Sequence, residues 1–241
     1  MFQRLIKGII NVIFPETCVN CKNKLDTQAI DKIICKPCWQ KIEKNIPPFC
    51  VSCGRKLNKQ FLTKHICPDC LKKKLYFDRA FSPCVYDGVI KNLIHEFKYK
   101  HKHYLGKTLS KLMIDFIKEY SLPIDYLDYV IPMPLHKTRL REREFNQAEI
   151  LAKEIACEFN KDMPLSILKR LKNTKTQTDL ETINRFKNVA ESFIVANKTQ
   201  AKGKNILIVD DVFTTGATSS EAASVLKKAG ANIVFILTLA N

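Results

Sequence analysis

Ile206-Leu207-Ile208-Val209-Asp210-Asp211-Val212-Phe213-Thr214-Thr215-Gly216-Ala217-Thr218 is the stretch on which the reading of this chain turns. Four aliphatic residues with no period of two suit a strand buried on both faces, the centre of a parallel sheet. The strand is expected over Asn205–Val209, leaving Asp210 and Asp211 at its carboxyl end, where α/β sheets bind ligands. Thr214 to Thr218 form a hydroxyl-rich turn that opens a helix expected over Ser219–Ala229. Backbone N–H groups at such a helix start suit a phosphate. Two acceptors beside a phosphate cradle fit a ligand with vicinal hydroxyls, the shape of a ribose 5-phosphate.

Acidic pairs also end Walker B strands and response-regulator strands. A Walker B reading needs a P-loop, and Gly106-Lys107-Thr108 imitates only its end, because the first glycine of that motif would fall on His101. The segment resembles, at every position, the phosphoribosyl pyrophosphate (PRPP) motif of type I phosphoribosyltransferases. The resemblance implies that Asp210 and Asp211 hold the ribose 2- and 3-hydroxyls, and that Thr214, Thr215, Gly216, Ala217 and Thr218 hold the 5-phosphate. It also implies Mg²⁺ as the companion of PRPP.

Eight of the ten cysteines fall in four C-x-x-C pairs: Cys18/Cys21, Cys35/Cys38, Cys50/Cys53 and Cys67/Cys70. Each C-x-x-C turn presents two sulfurs from one tight loop, and two turns complete a tetrahedral thiolate site. Gaps of 13 residues separate the first pair from the second and the third from the fourth. Two structural zinc ribbons are expected, over disulfides or an iron–sulfur cluster. The spacing leaves open which pairs share an ion, since Cys35/Cys38 and Cys50/Cys53 stand only 11 residues apart. Gly54 after Cys53 suits the positive φ of a knuckle. Cys84 and Cys157 stand alone and read as core residues.

A chain of 241 residues has room for one α/β domain and a small extra module. The division expected is 1–75 for a helix and double ribbon, and 76–241 for the phosphoribosyltransferase-like domain. The formal charge is +16, and residues 1–78 hold 15 basic and 6 acidic side chains. That balance favours polyanion partners, although a lysine-rich composition alone produces the same excess. Met1 to Phe14 reads as an amphipathic helix too short and too polar to span a bilayer, and no cleavage site follows it. A cytoplasmic protein is expected.

From Tyr76 onward strands and helices alternate, which calls for a mostly parallel sheet with helices on both faces. Strands are expected over Ala80–Tyr86, Tyr129–Pro134, Ser192–Ala196 and Asn232–Leu239. Helices are expected over Val89–Tyr99, Leu105–Tyr120 and Asn146–Phe159. A long polar loop after Pro134 carries Arg139, Arg141 and Arg143 at alternate positions, where guanidinium groups could grip a pyrophosphate. A solvated charged segment, with Glu142 and Glu144 offsetting the arginines, accounts for the same pattern.

Pro134-Leu135-His136, Arg139, Arg141, Arg143 and Phe145-Asn146-Gln147, together with the cysteine pairs, resemble the ComF/GntX family from Pro15 onward. Those are bacterial proteins joining a double zinc ribbon to a phosphoribosyltransferase domain. Arg170, Thr174, Gln177, Leu180, Arg185 and Asn188 resemble that family's active-site loop, which the resemblance implies closes over PRPP. The family has Gly before Phe-Asn-Gln where this chain has Glu144. Lys98-Tyr99-Lys100-His101-Lys102-His103-Tyr104 interleaves cations with rings, a combination that single-stranded DNA sites use, though a plain inter-helix loop fits it too. The resemblance implies a PRPP-binding protein acting on single-stranded DNA during DNA uptake and natural transformation, with DNA-uptake or recombination proteins as partners. A phosphoribosyltransferase working on a nitrogen acceptor in metabolism is the alternative.

Overall fold

A computed structural model describes residues 16–100, 102–173, 186 and 188–241. The helix expected over Met1–Phe14 lies outside these residues, as do His101, Thr174, Gln177, Leu180 and Arg185. In chain order the elements are α1 (Lys36–Gln40), α2 (Pro68–Leu71), β1 (Arg79–Phe81), α3 (Gly88–Tyr99), α4 (Leu105–Glu119), β2 (Tyr129–Pro132) and α5 (Lys137–Arg143). They continue as α6 (Gln147–Glu158), β3 (Leu168–Arg170), β4 (Phe193–Val195), α7 (Lys198–Ala201), β5 (Asn205–Val212), α8 (Ala217–Lys228) and β6 (Ile233–Ala240).

Among the described residues one parallel sheet forms, in the order β1-β6-β5-β2. Alternate side chains of β5 enter opposite layers, as the two-residue period of a strand requires. Leu207 and Val209 join a core with α3, α4 and α6, and Ile206 and Ile208 join one with α8. Helices therefore cover both faces, as expected. The cysteine-rich segment packs into the same two cores: Cys18, Ile34, Cys35, Cys38 and Ile42 into the first, Cys50, Cys53, Leu57 and Cys70 into the second.

Five local expectations are corrected. The strand at Ala80 ends at Phe81, and Pro83 soon follows with no N–H for a ladder. Cys84 rejoins only through isolated bridges to Lys44 and Ala240. The long polar loop contains α5, which His136 caps by accepting the Thr138 N–H at 3.2 Å. Phe193–Val195 leaves the main sheet and pairs antiparallel with β3. It buries Phe193 and exposes Ile194, the pattern of a strand covered on one side only. Cys84 is buried, but Cys157 is exposed on α6. Finally, β5 does not stop at Val209: it runs through the acidic pair, with Asp210 opposite Thr238 and Val212 opposite Ala240.

Candidate functional site

That extension of β5 decides the chemistry of the acidic pair. Neighbouring strand residues face opposite ways, so Asp210 and Asp211 do not form a parallel clamp. Asp211, on the α3 side, is buried and meets the Lys98 ammonium at 2.8 Å. Asp210 accepts the N–H of Asp211 on Oδ1 at 2.8 Å. Burial first, and the charge of Asp211 second, push the Asp210 carboxyl up to about 7, against the pull of Lys98 and Arg170. Burial works against the charge of Lys98, yet Asp211 holds its pKa above the ordinary lysine value. Lys98 is a site residue that sequence reasoning placed elsewhere, although a signal existed. Ile90, Leu93, Ile94 and Phe97 are the buried stripe of α3, and Lys98 is the next position of that stripe.

After β5 the chain turns at Gly216, which takes φ +79° and starts α8. A Cβ there would lie 2.6 Å from the Phe213 ring, so both the left-handed backbone and the contact require glycine. Ala217 donates its N–H to Thr215 Oγ1 at 3.4 Å, and Ser220 donates to the Gly216 carbonyl at 2.8 Å. The cap residue brings no side chain of its own. Amides in a helix first turn are the natural donors to an anion. Thr214 stands exposed at the tip, and its carbonyl accepts a hydrogen bond from Arg55 of the third cysteine pair's turn.

The helical form of α5 sorts the three arginines. Residues four apart share a helix face, whereas residues two apart do not. Arg139 and Arg143 approach Arg170, whose guanidinium is lowered chiefly by burial while Asp210 opposes the shift. Arg141 is exposed on the other side of α5, so the structure gathers Arg139, Arg143 and Arg170 near the acidic pair and leaves Arg141 apart. Arg143 donates to Gln147 Oε1 at 3.1 Å and lies over the Tyr99 ring at 5.1 Å. Its Nε and the Gln147 Nε2 are buried with no hydrogen-bond partner among the described residues, donors held ready for an acceptor.

The Phe145-Asn146-Gln147 motif gains a structural reason. Phe145 packs on Phe97 and His103, Asn146 caps α6 and donates to the Met133 carbonyl at 3.1 Å, and Gln147 holds Arg143. Glu144, in the family's glycine position, is exposed and takes φ +66°. The turn demands a left-handed residue, and a side chain there costs about 1 kcal/mol relative to glycine.

The segment Lys98–Tyr104 differs from a free string of cations. Lys98 and Tyr99 close α3, with Lys98 committed to Asp211. Lys100 and Lys102 both reach Glu96, at 3.4 and 2.6 Å. These cations lower the Glu96 pKa, led by the Lys102 hydrogen bond. Tyr99 and Tyr104 remain about half exposed.

The cysteine pairs are shared in sequence order. Cys18, Cys21, Cys35 and Cys38 gather in one cluster and Cys50, Cys53, Cys67 and Cys70 in another, with the four sulfurs of each within 4.8 Å of one another. Backbone N–H groups donate to sulfur in both, Cys35 to Cys18 at 3.4 Å and Cys67 to Cys50 at 3.3 Å. Four converging thiols with N–H support are a donor set for tetrahedral zinc. In the second knuckle Gly54 supplies the left-handed residue, as expected, and in the first Lys22 does so at φ +65°.

Comparison with known proteins agrees with these two parts. Residues 9–71 match the double zinc ribbon domain and residues 146–241 the phosphoribosyl transferase domain. Competence protein F of Haemophilus influenzae is 29% identical over 175 residues, 70% of this chain and 76% of that protein. DNA utilization protein YhgH of Escherichia coli K12 is 27% identical over 171 residues, 70% of this chain and 74% of that protein. Competence protein ComFC of Bacillus subtilis is 29% identical over 161 residues, 66% of this chain and 62% of that protein. Among the described residues no helix is long and apolar enough to cross a membrane.

Proposed function

We propose, from the premise that this chain is a ComF-type protein joining a double zinc ribbon to a phosphoribosyltransferase domain, that it binds PRPP and serves single-stranded DNA handling in DNA uptake and natural transformation. The observation that carries the ligand is the convergence of Asp210, Asp211, the Gly216 turn and the Arg139, Arg143 and Arg170 cluster around the carboxyl end of β5. Carboxylates take the ribose hydroxyls, the first turn of α8 takes the 5-phosphate, and the guanidiniums take pyrophosphate. Mg²⁺, a hard cation that suits oxygen donors, would accompany the pyrophosphate beside Asp210 and Asp211. Arg141, on the far side of α5, is assigned to the pyrophosphate only if α5 reorients.

The DNA reading rests on the net charge of +16, on exposed Tyr99 and Tyr104, and on the names competence and DNA utilization borne by the relatives. It places the protein in the cytoplasm. The alternative, an active transferase, draws on the cluster of guanidiniums, which would stabilise a departing pyrophosphate. Calorimetric titration with Mg·PRPP, with and without a single-stranded oligonucleotide, separates them. Binding of both ligands without pyrophosphate release supports the first reading. Absence of PRPP binding sinks both.

A further inference from the structure

We propose that the second tetracysteine knuckle is a built-in part of the anion loop, with Arg55 as the positioning residue that sets the loop's geometry. The inference deepens the phosphate reading of Thr214–Thr218 and rests on it. Arg55 follows Gly54 directly after Cys53, so its backbone is anchored one residue from a metal-ligating turn. Its Nη1 donates to Asp69 Oδ2 at 3.2 Å, and Asp69 lies between Cys67 and Cys70. The remaining fork nitrogen, Nη2, donates to the carbonyl of Thr214. Both cysteine pairs of one knuckle thus hold a single guanidinium, and that guanidinium holds the loop.

A peptide unit is planar and, at Thr214–Thr215, trans, so its C=O and N–H point in opposite directions. Fixing the Thr214 carbonyl therefore fixes where the Thr215 N–H is aimed. Further contacts brace the loop and seat the knuckle on β1 beside it. The Tyr76 N–H donates to Ser220 Oγ in the first turn of α8 at 3.1 Å. The Phe77 ring meets the Phe213 ring edge-on at 5.8 Å. The Ala80 N–H donates to the Ser52 carbonyl at 2.7 Å, and a Cβ on Gly54 would strike the Ala80 carbonyl at 2.4 Å. The first knuckle makes no such approach among the described contacts; Asn20 and Lys22 reach Asn92 and Glu96 of α3.

The test uses full-length, zinc-loaded protein with Arg55→Met, Arg55→Lys and Asp69→Asn. Amide hydrogen exchange across 213–220 is measured without ligand, Mg·PRPP affinity by calorimetry, and zinc content by metal analysis. Arg55→Met is expected to speed exchange at 214–218 about tenfold and to weaken PRPP about tenfold, the worth of one hydrogen bond from a charged donor. Zinc stays at the parent's content. Arg55→Lys keeps the charge but not the rigid fork, so it does not restore the parent values. Asp69→Asn moves both readouts the same way by less.

Parent-like exchange and affinity in Arg55→Met overturn the proposal, and so does full rescue by Arg55→Lys, which would reduce Arg55 to a distant charge. If Arg55→Met loses zinc or folding, Arg55→Lys and Asp69→Asn decide instead, and parent-like loop exchange in both overturns the proposal. If the parent itself does not bind PRPP, the pocket reading fails, while loop exchange still judges Arg55.

Discussion

The two knuckles repeat one pattern at an offset of 32 residues, yet they hold different parts of the site. The first grips the helical layer. Asn20 accepts from Asn92, Lys22 lies 3.9 Å from Glu96, and Asp31 takes Lys111 at 2.6 Å and Thr108 at 2.8 Å. That layer presents Lys98 to Asp211. The second knuckle grips β1 and the loop at Thr214, on the other side of the strand end. The difference shows why the ribbons share the cores of the sheet: each braces one side of the acidic pair, and neither stands apart as an appendage.

Breaking a knuckle should have the largest effect. Metal analysis of the parent should find two zinc ions per chain, and a single ion or iron would end the two-ribbon account. Cys35→Ser should loosen 88–119 in hydrogen exchange, whereas Cys67→Ser should loosen 213–220, since thiolate sites couple metal to folding. Identical exchange patterns in the two variants would break the comparison.

Next in size is the Lys98–Asp211 pair. Asp211→Asn strands a buried ammonium and should destabilise by about 3 kcal/mol in urea unfolding. Adding Lys98→Met should recover most of that loss. An unchanged midpoint in Asp211→Asn would show that the pair contributes nothing. In Asp210→Asn/Asp211→Asn, PRPP affinity should fall at least tenfold, about 1.4 kcal/mol.

A smaller effect follows from Asp210, held up to about 7 chiefly by burial. Its raised folded-state pKa means that the native chain keeps a proton which the unfolded chain has released. This stabilising contribution is complete below the unfolded value near 4 and lost as pH rises through about 7. Ligand hydroxyls need the carboxylate, so PRPP affinity should change the opposite way, weakening about tenfold from pH 8 to pH 6. Asp210→Asn should flatten that profile in calorimetry.

The smallest effect is expected in single-stranded DNA binding. Lys98 is committed to Asp211, so among the described residues of Lys98–Tyr104 the lysines left to contact phosphates are Lys100 and Lys102, and Glu96 already offsets them. Neutralising both should lower the salt slope by at most roughly 1.4, about 0.7 for each contact. Tyr99→Ala with Tyr104→Ala should weaken binding without altering the slope. Parent-like binding by both sets at every salt concentration would make this segment a linker alone.

The chain's own pattern was enough for the parallel sheet, for the loop after β5 and for eight cysteines in two sets. Each of those rests on short-range chemistry: a run of aliphatics, a glycine where φ is positive, two sulfurs three residues apart. Tertiary structure alone decided which cysteine pairs meet, because matched and unmatched gaps are both long enough to close a site. It separated Arg139 and Arg143 from Arg141 by making their segment a helix, and it set Arg170, which the family resemblance had already placed in the active-site loop, on β3 beside them. It also turned Lys98 from a surface cation into the counterion of Asp211, and Arg55 into a brace for a loop 159 residues away. A pairwise contact across such separations depends on how the layers stack, and no local period or spacing records that.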